Sequence, residues 1–289
     1  MALAGEIFVL QKRPFQIKFP EIVPNSYTKQ IRISYGCRPN SKLRNQKMRY
    51  FIELAYKGTP FCGWQIQPNA PSVQANIEKV LSLLLRQKIE IVGSSRTDTG
   101  VHAKQQFAHF QIDTAIEDPE ALRYRANKIL PPEIYLRQIY LVANDFHSRF
   151  DAISRKYEYH IRRQRDPFSS NSYYVFRADL DINKMNEACK ILFQYNDFEA
   201  FSKIHTQVNH FRCEIQEAFW EEKNDSLIFY IKADRFLRGM VRTIVGTLFE
   251  IGQGRMTIEQ FDEIIQSKKR SQAGRSVPPD GLFLVEVNY

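Results

Sequence analysis

"VGSSRTDTGVHAKQQFAHF", Val92–Phe110, sets one carboxylate among turn-forming residues, between a short apolar stretch and an alternating one. Gly93, Ser94, Ser95, Thr97, Thr99 and Gly100 surround Asp98, so the segment reads as a tight, exposed bend with the carboxylate at its tip. An aspartate in such a turn most often accepts hydrogen bonds from its own backbone. Arg96, two residues away, favours the ionised form, which suits a nucleophile or charge stabiliser better than a general acid.

Asp98-Thr99-Gly100 is also the loop on which aspartic proteases carry their carboxylate. That chemistry needs two carboxylates sharing one proton, and only one Asp-Thr-Gly occurs here, so a protease would have to be a symmetric dimer. Arg96 would oppose the shared proton in each copy.

The rest of the chain bounds what the loop can be. At 289 residues it can bury a sizeable core, and 43% hydrophobic with 25% charged residues is ordinary for a globular protein. No apolar run approaches a membrane span, so no membrane partner is expected. Cys37, Cys62, Cys189 and Cys213 form no Cys-x-x-Cys pair, which argues against a disulfide framework or zinc ribbon and fits a reducing, cytoplasmic setting. The six histidines show no metal-ligand spacing and no phosphate-binding glycine loop occurs, so neither metal nor nucleotide cofactor is expected. The net charge of +9 is unevenly placed: residues 1–47 hold nine basic and two acidic groups, leaving 32 basic and 30 acidic over the other 242. Any attraction for nucleic acid in the folded part must therefore come from local clusters.

Such clusters exist. Arginines and aromatics interleave in "FHSRF" (Phe146–Phe150), "SRKYEYHIRRQR" (Ser154–Arg165) and "DRFLRGMVR" (Asp234–Arg242). Arginine pairs with phosphate and stacks on bases, and tyrosine and phenylalanine supply π-faces. Any one cluster is an ordinary solvated face; three converging on one carboxylate loop would be a binding surface.

Periodicity orders the elements. "RYFIELAYKG" reads as a strand, "SVQANIEKVLSLLLRQ" as a helix with Ser72 as N-cap, and "KIEIVG" and "QQFAHFQID" as strands flanking the loop. Pro119 opens a helix, and "EIYLRQIYLVA" follows as a strand. "RKYEYHIRR" is a strand with Tyr157, Tyr159 and Ile161 on one face, and "DINKMNEACKILFQY" a helix burying Met185, Ala188, Cys189 and Leu192. A hairpin turns at Asn224-Asp225; "LRGMVRTIVGTLFEIG" and "TIEQFDEIIQSKK" are helices, and "GLFLVEVNY" is a closing strand. Strands and helices recur in similar order in both halves, which predicts an α+β protein with a mixed or antiparallel sheet, helices on its outer face and a groove between two related units. The expected division is a basic, flexible extension over 1–47 (with Met48 as an alternative start), a catalytic-loop half over 48–153 and a second half over 154–289.

"GSSRTDTGVHAKQQFAHF" resembles the catalytic loop of the tRNA pseudouridine synthase A family, usually G-A-G-R-T-D-A-G-V-H-A. "GWQIQP" (Gly63–Pro68), "FHSRFDA" (Phe146–Ala152), "RKYEY" (Arg155–Tyr159), "FLRGMVRTIVGTL" (Phe236–Leu248) and "PPDGLFLVEVNY" (Pro278–Tyr289) are similar to family motifs, in family order, from about Met48 to the last residue. The resemblance implies the pseudouridine synthase fold, with two RNA-recognition-like halves around a basic cleft. It implies isomerisation of uridine to pseudouridine at positions 38, 39 and 40 of the tRNA anticodon stem-loop, without cofactor, by a homodimer that binds tRNA.

On the same resemblance Asp98 is the nucleophile, and Tyr157 stacks on the target base and takes part in proton abstraction. Arg242 pairs with Asp98, Arg96 assists base flipping and Leu282 packs beneath the base. His147, Arg149 and Arg238, from the first and third clusters, are candidate substrate-binding residues. One departure stands out: Ser94-Ser95 replaces Ala-Gly. If that glycine position needs positive φ, Ser95 carries a steric penalty, and a non-catalytic tRNA-binding protein on the same fold becomes the alternative.

Overall fold

The computed structural model describes residues 47–169, 171–203, 209–223 and 225–289; the expected extension, apart from Lys47, and the hairpin residue Asn224 lie outside them, whereas the alternative start, Met48, is the first residue of a strand. Contacts divide the chain into Met1–Arg44 and Asn45–Tyr289, and the sheet and helices below belong to the second unit.

Strand β1 (Met48–Tyr56) pairs antiparallel on both sides, with β3 (His102–Ile112) and with β4 (Ile134–Val142). Phe51 is covered by the rings of Phe146 and Tyr289, at 5.0 and 5.7 Å, and is buried like Ile52 and Leu54, which point to the other face. Strand β5 (Ser154–Arg162) carries Tyr157, Tyr159 and Ile161 inward, as their spacing predicts. The hairpin of β7 (Ile215–Lys223) and β8 (Ser226–Ala233) pairs with β5 through β8. The last strand, β9 (Leu282–Asn288), lies between β3 and β5. The order among the described residues is β4-β1-β3-β9-β5-β8-β7, with two-residue strands β2 (Val92–Gly93) beside β3 and β6 (Tyr174–Val175) beside β5.

The β3–β9 pairing is parallel and short, limited to His102–Phe283 and Ala103–Leu284. Further along, the Val287 N–H donates to the Gln105 side-chain oxygen at 3.1 Å instead of to a β3 carbonyl. A buried ladder donor needs a partner, and here a side chain supplies it where the strands part. The catalytic-loop candidate precedes β3 and the Pro279–Gly281 turn precedes β9, so both arrive at the same point of the sheet.

Four helices among the described residues carry side-chain N-caps, of which the sequence predicts Ser72. Ser72 accepts from Ala75 N–H at the start of α1 (Val73–Leu85), Asp118 from Ala121 N–H at α2 (Pro119–Ile129), and Asp181 from Lys184 N–H at α3 (Ile182–Ile191). Thr257 and Gln260 form a capping box at α5 (Ile258–Ser267). Helix α4 (Met240–Gly252) is buried at eleven of its thirteen residues, which makes it the central helix of the second half. Thr243 and Thr247 satisfy their buried hydroxyls on the carbonyls four residues back, at 3.1 and 2.8 Å. No helix among the described residues is long and apolar enough to cross a membrane.

Two local expectations need correction. "KIEIVG" forms a strand only at Val92–Gly93, because the Ile89 and Ile91 N–H groups donate to Ser82 Oγ and Glu78 Oε1 of α1, at 2.8 and 2.9 Å, and leave no ladder to make. The helix expected from Leu237 starts at Met240, because Gly239 sits at φ 73° and breaks the helical path.

Candidate active site

The loop is held from behind. Tyr56 and Thr97 hydroxyls hydrogen-bond at 2.8 Å, Trp64 N–H donates to the Thr97 carbonyl at 3.1 Å, and Gly100 N–H donates to Phe61 O at 3.3 Å. Gly63, at φ 90°, lets the "GWQIQP" segment pass so close that an added Cβ would lie 2.6 Å from the Thr97 carbonyl oxygen. Gly100, at φ 79°, turns the chain into β3 against Pro279. On the near side Ser94 Oγ donates to Gln106 Oε1 at 2.9 Å, and Gln106 Nε2 donates to the Ser95 carbonyl at 2.8 Å. Asp98 is thus fixed at both ends of its bend rather than left at the tip of a free turn.

Its carboxylate faces α4. Arg238 Nε lies 3.7 Å from Oδ1, and Arg242 Nη1 lies 3.7 Å from Oδ2. Those distances are ion pairs without hydrogen bonds, so the carboxylate is neutralised by charge while its lone pairs are not consumed by these donors. The arginines differ. Arg242, in the first turn of α4, is anchored by Nε donating to the Val277 carbonyl at 2.6 Å and is 21% exposed; Arg238, before the helix, is 59% exposed. Two cations on one carboxylate oppose the shared proton of an aspartic protease.

Tyr157 is buried, with its ring edge-to-face with Phe236 at 5.1 Å. Burial pushes its phenol up to about 12, Arg155 opposes that rise, Asp98 adds to it, and a hydrogen bond with the Ser95 side chain opposes it. Tyr157 is therefore a neutral phenol at neutral pH, close enough to Asp98 to feel its charge. Leu282 is buried at the start of β9, opposite Tyr159 of β5.

A cationic rim surrounds the pair. Arg149 has its affinity for the proton lowered first by partial burial and then by the charges of Arg96, Arg235 and Arg155, so these four arginines share one neighbourhood. Arg96 is exposed beside the loop. His147 Nδ1 accepts the Arg149 and Phe150 N–H groups at 3.1 and 3.2 Å, holding the turn that presents Arg149.

The family profile described as tRNA pseudouridine synthase matches residues 188–289. Full-length relatives extend the likeness to most of the chain. The "tRNA pseudouridine synthase A" of Parabacteroides distasonis is 49% identical, with 83% of this chain and 96% of that protein covered. Those of Porphyromonas gingivalis and Clostridium acetobutylicum, bearing the same name, are 47% and 40% identical, over 83% and 82% of this chain and 97% and 98% of theirs. The chain belongs to the tRNA pseudouridine synthase A family.

Against the pattern expected of that family, the structure brings Asp98, Arg238, Arg242 and Tyr157 together and sets Arg96 and Arg149 in one cationic rim. The steric penalty expected at Ser95 is absent: the described non-glycine residues with positive φ are Asn69, Arg86, Asn171, Asp225 and Lys268. Serine therefore fits the synthase loop without left-handed strain. Its side chain lies beside Tyr157, where it opposes the rise of the phenol's pKa. Residues missed as individuals were Arg155, Arg235 and Phe236. All three stood inside the arginine–aromatic clusters, but only tertiary contact singles them out.

Proposed function

We propose that this protein isomerises uridine to pseudouridine in the anticodon stem-loop of tRNA, at positions 38, 39 and 40, with Asp98 as nucleophile and no cofactor. The observation that carries the reading is the Asp98 carboxylate, set 3.7 Å from both Arg238 and Arg242 and close enough to buried Tyr157 for its charge to be felt there.

The chemistry is an exchange of bonds at one ribose carbon. Asp98 supplies the electron pair that lets uracil N1 leave C1′. The carboxylate bonds to C1′ as N1 departs; the freed ring turns, and its C5 attacks C1′, breaking the Asp98–C1′ bond and releasing the carboxylate. The C5 proton passes to the Tyr157–Asp98 pair and N1 takes one back, so atoms balance and no oxidant or reductant is needed. Tyr157, a neutral phenol, accepts a proton only as it hands its own on, and Asp98 is the base close enough to receive it. A target base must first leave its stack, at about a few kcal/mol. Arg96, Arg149 and Arg238 repay that cost on the phosphates, while Tyr157 and Leu282 supply the apolar seat. His147 serves binding by shaping the turn of Arg149.

The reading also takes 48–153 and 154–289 as the two halves that build the cleft, with a cytoplasmic homodimer binding tRNA; sedimentation with and without tRNA tests the dimer. The activity itself is tested by tritium release from tRNA labelled at uridine C5, with wild type and Asp98→Asn side by side. Release by wild type and none by the variant is expected, with tRNA affinity kept within about threefold because binding spreads over many phosphate contacts. Tight tRNA binding by wild type without release would overturn it.

A further inference from the structure

Arg155, the first residue of the "RKYEY" stretch, is buried, and the four hydrogen bonds of its guanidinium go to backbone carbonyls. Nη1 donates to Ala152 O and Asp234 O, both at 2.8 Å. Nη2 donates to Ser94 O at 3.2 Å and Arg149 O at 2.7 Å. Those acceptors lie on three separate segments: the loop that leads to Asp98, the Phe146–Ala152 turn, and the link from β8 to α4.

Each segment carries part of the substrate surface. The first holds Arg96 and Asp98, the second Arg149, and the third Arg235 and Arg238. The Asp234 carboxylate is turned to the backbone instead, accepting from Glu214 N–H and Arg235 N–H at 2.7 Å each. A rigid, planar fork with five donors can hold carbonyls in several directions at once; an ammonium on a flexible stem cannot reproduce the arrangement.

We propose that Arg155 is a positioning residue for the reaction, a buried clamp that sets the spacing between the Asp98 loop and the two segments presenting Arg149 and Arg235. It touches no substrate atom. Losing the fork lets the three segments move independently, so the carboxylate and the phosphate-binding arginines no longer meet one nucleotide in register. The proposal rests on tRNA being the substrate and Asp98 the reacting group.

The test is Arg155→Lys in the full chain, with Arg155→Gln as a second variant, each checked for folding by near-ultraviolet circular dichroism. In folded Arg155→Lys the single-turnover rate at saturating tRNA should fall about 100-fold, the scale of a misplacement of roughly 1 Å. A binding cycle separates positioning from mere support. Arg149→Ala should weaken tRNA binding about tenfold in the wild-type background and less than about twofold beside Arg155→Lys, since the cost of a pair acting as a unit is not additive. A folded Arg155→Lys with wild-type rate, or with additive binding losses, overturns the role. The functional reading fails separately: a wild type that releases no tritium removes the chemistry, yet the binding cycle still reports whether Arg155 places Arg149.

Discussion

Replacing Arg242 by methionine should slow the chemistry far more than replacing Arg238, although both stand 3.7 Å from the same carboxylate. Two unit charges at that separation attract by about 4 kcal/mol at an effective dielectric near 20. Arg242 and Asp98 side chains are 21% and 26% exposed, so solvent screening takes back roughly half, leaving about 2 kcal/mol. At about 1.4 kcal/mol per tenfold, that is a loss of about 30-fold in rate if the orientation of Asp98 is needed in the transition state. Arg238, 59% exposed, loses most of its attraction to solvent and side-chain entropy, so its contribution is under about 1 kcal/mol and under about fivefold. The anchor on Val277 adds to the contrast, because Arg242 is held in place before substrate arrives. The assay is single-turnover tritium release at saturating tRNA, with tRNA affinity measured alongside. If Arg238→Met slowed release as much as Arg242→Met, differential burial would not decide the strength of these pairs and the reasoning would be refuted.

Tyr157→Phe keeps the ring against Phe236 but removes the phenol; tRNA affinity should hold within about twofold while the rate falls at least about 100-fold, and an unchanged rate would reduce Tyr157 to a stacking surface. Buried His102 and His109 are each pushed from the ordinary 6.5 down to about 4, chiefly by burial. Between those values the unfolded chain binds protons that the folded chain refuses, so stability is full above pH 6.5 and is lost as pH falls through 4, by up to about 3 kcal/mol per histidine. Calorimetry at pH 7 and pH 4.5 checks this, and equal unfolding temperatures would contradict it. Gly63→Ala drives a Cβ into the Thr97 carbonyl from a backbone at φ 90°, so it should destabilise the fold by about 1–3 kcal/mol and cut turnover more than tenfold, read by thermal unfolding and tritium release together.

The sequence alone carried the properties that are local. The cap at Ser72 and the opening Pro119 stand at the starts of their helices, and the alternation of Tyr157, Tyr159 and Ile161 is set by the two-residue period of a strand. The motif run by itself pointed to Asp98, Arg96, His147, Arg149, Tyr157, Arg238, Arg242 and Leu282. It failed where a neighbour distant in sequence decides: Ile89 and Ile91 spend their backbone donors on α1 side chains, and Ser95 escapes the strain its motif position suggested. Only the tertiary structure decided that the last strand enters between β3 and β5, that Arg238 joins Arg242 on one carboxylate, and that Arg155 spans carbonyls 61 and 79 residues away. Hydrophobic period and capping are fixed by residues within a turn or two of each other. Which loops meet, and which charge lies under which, depends on strand pairing across the whole chain, and no local pattern encodes that partner.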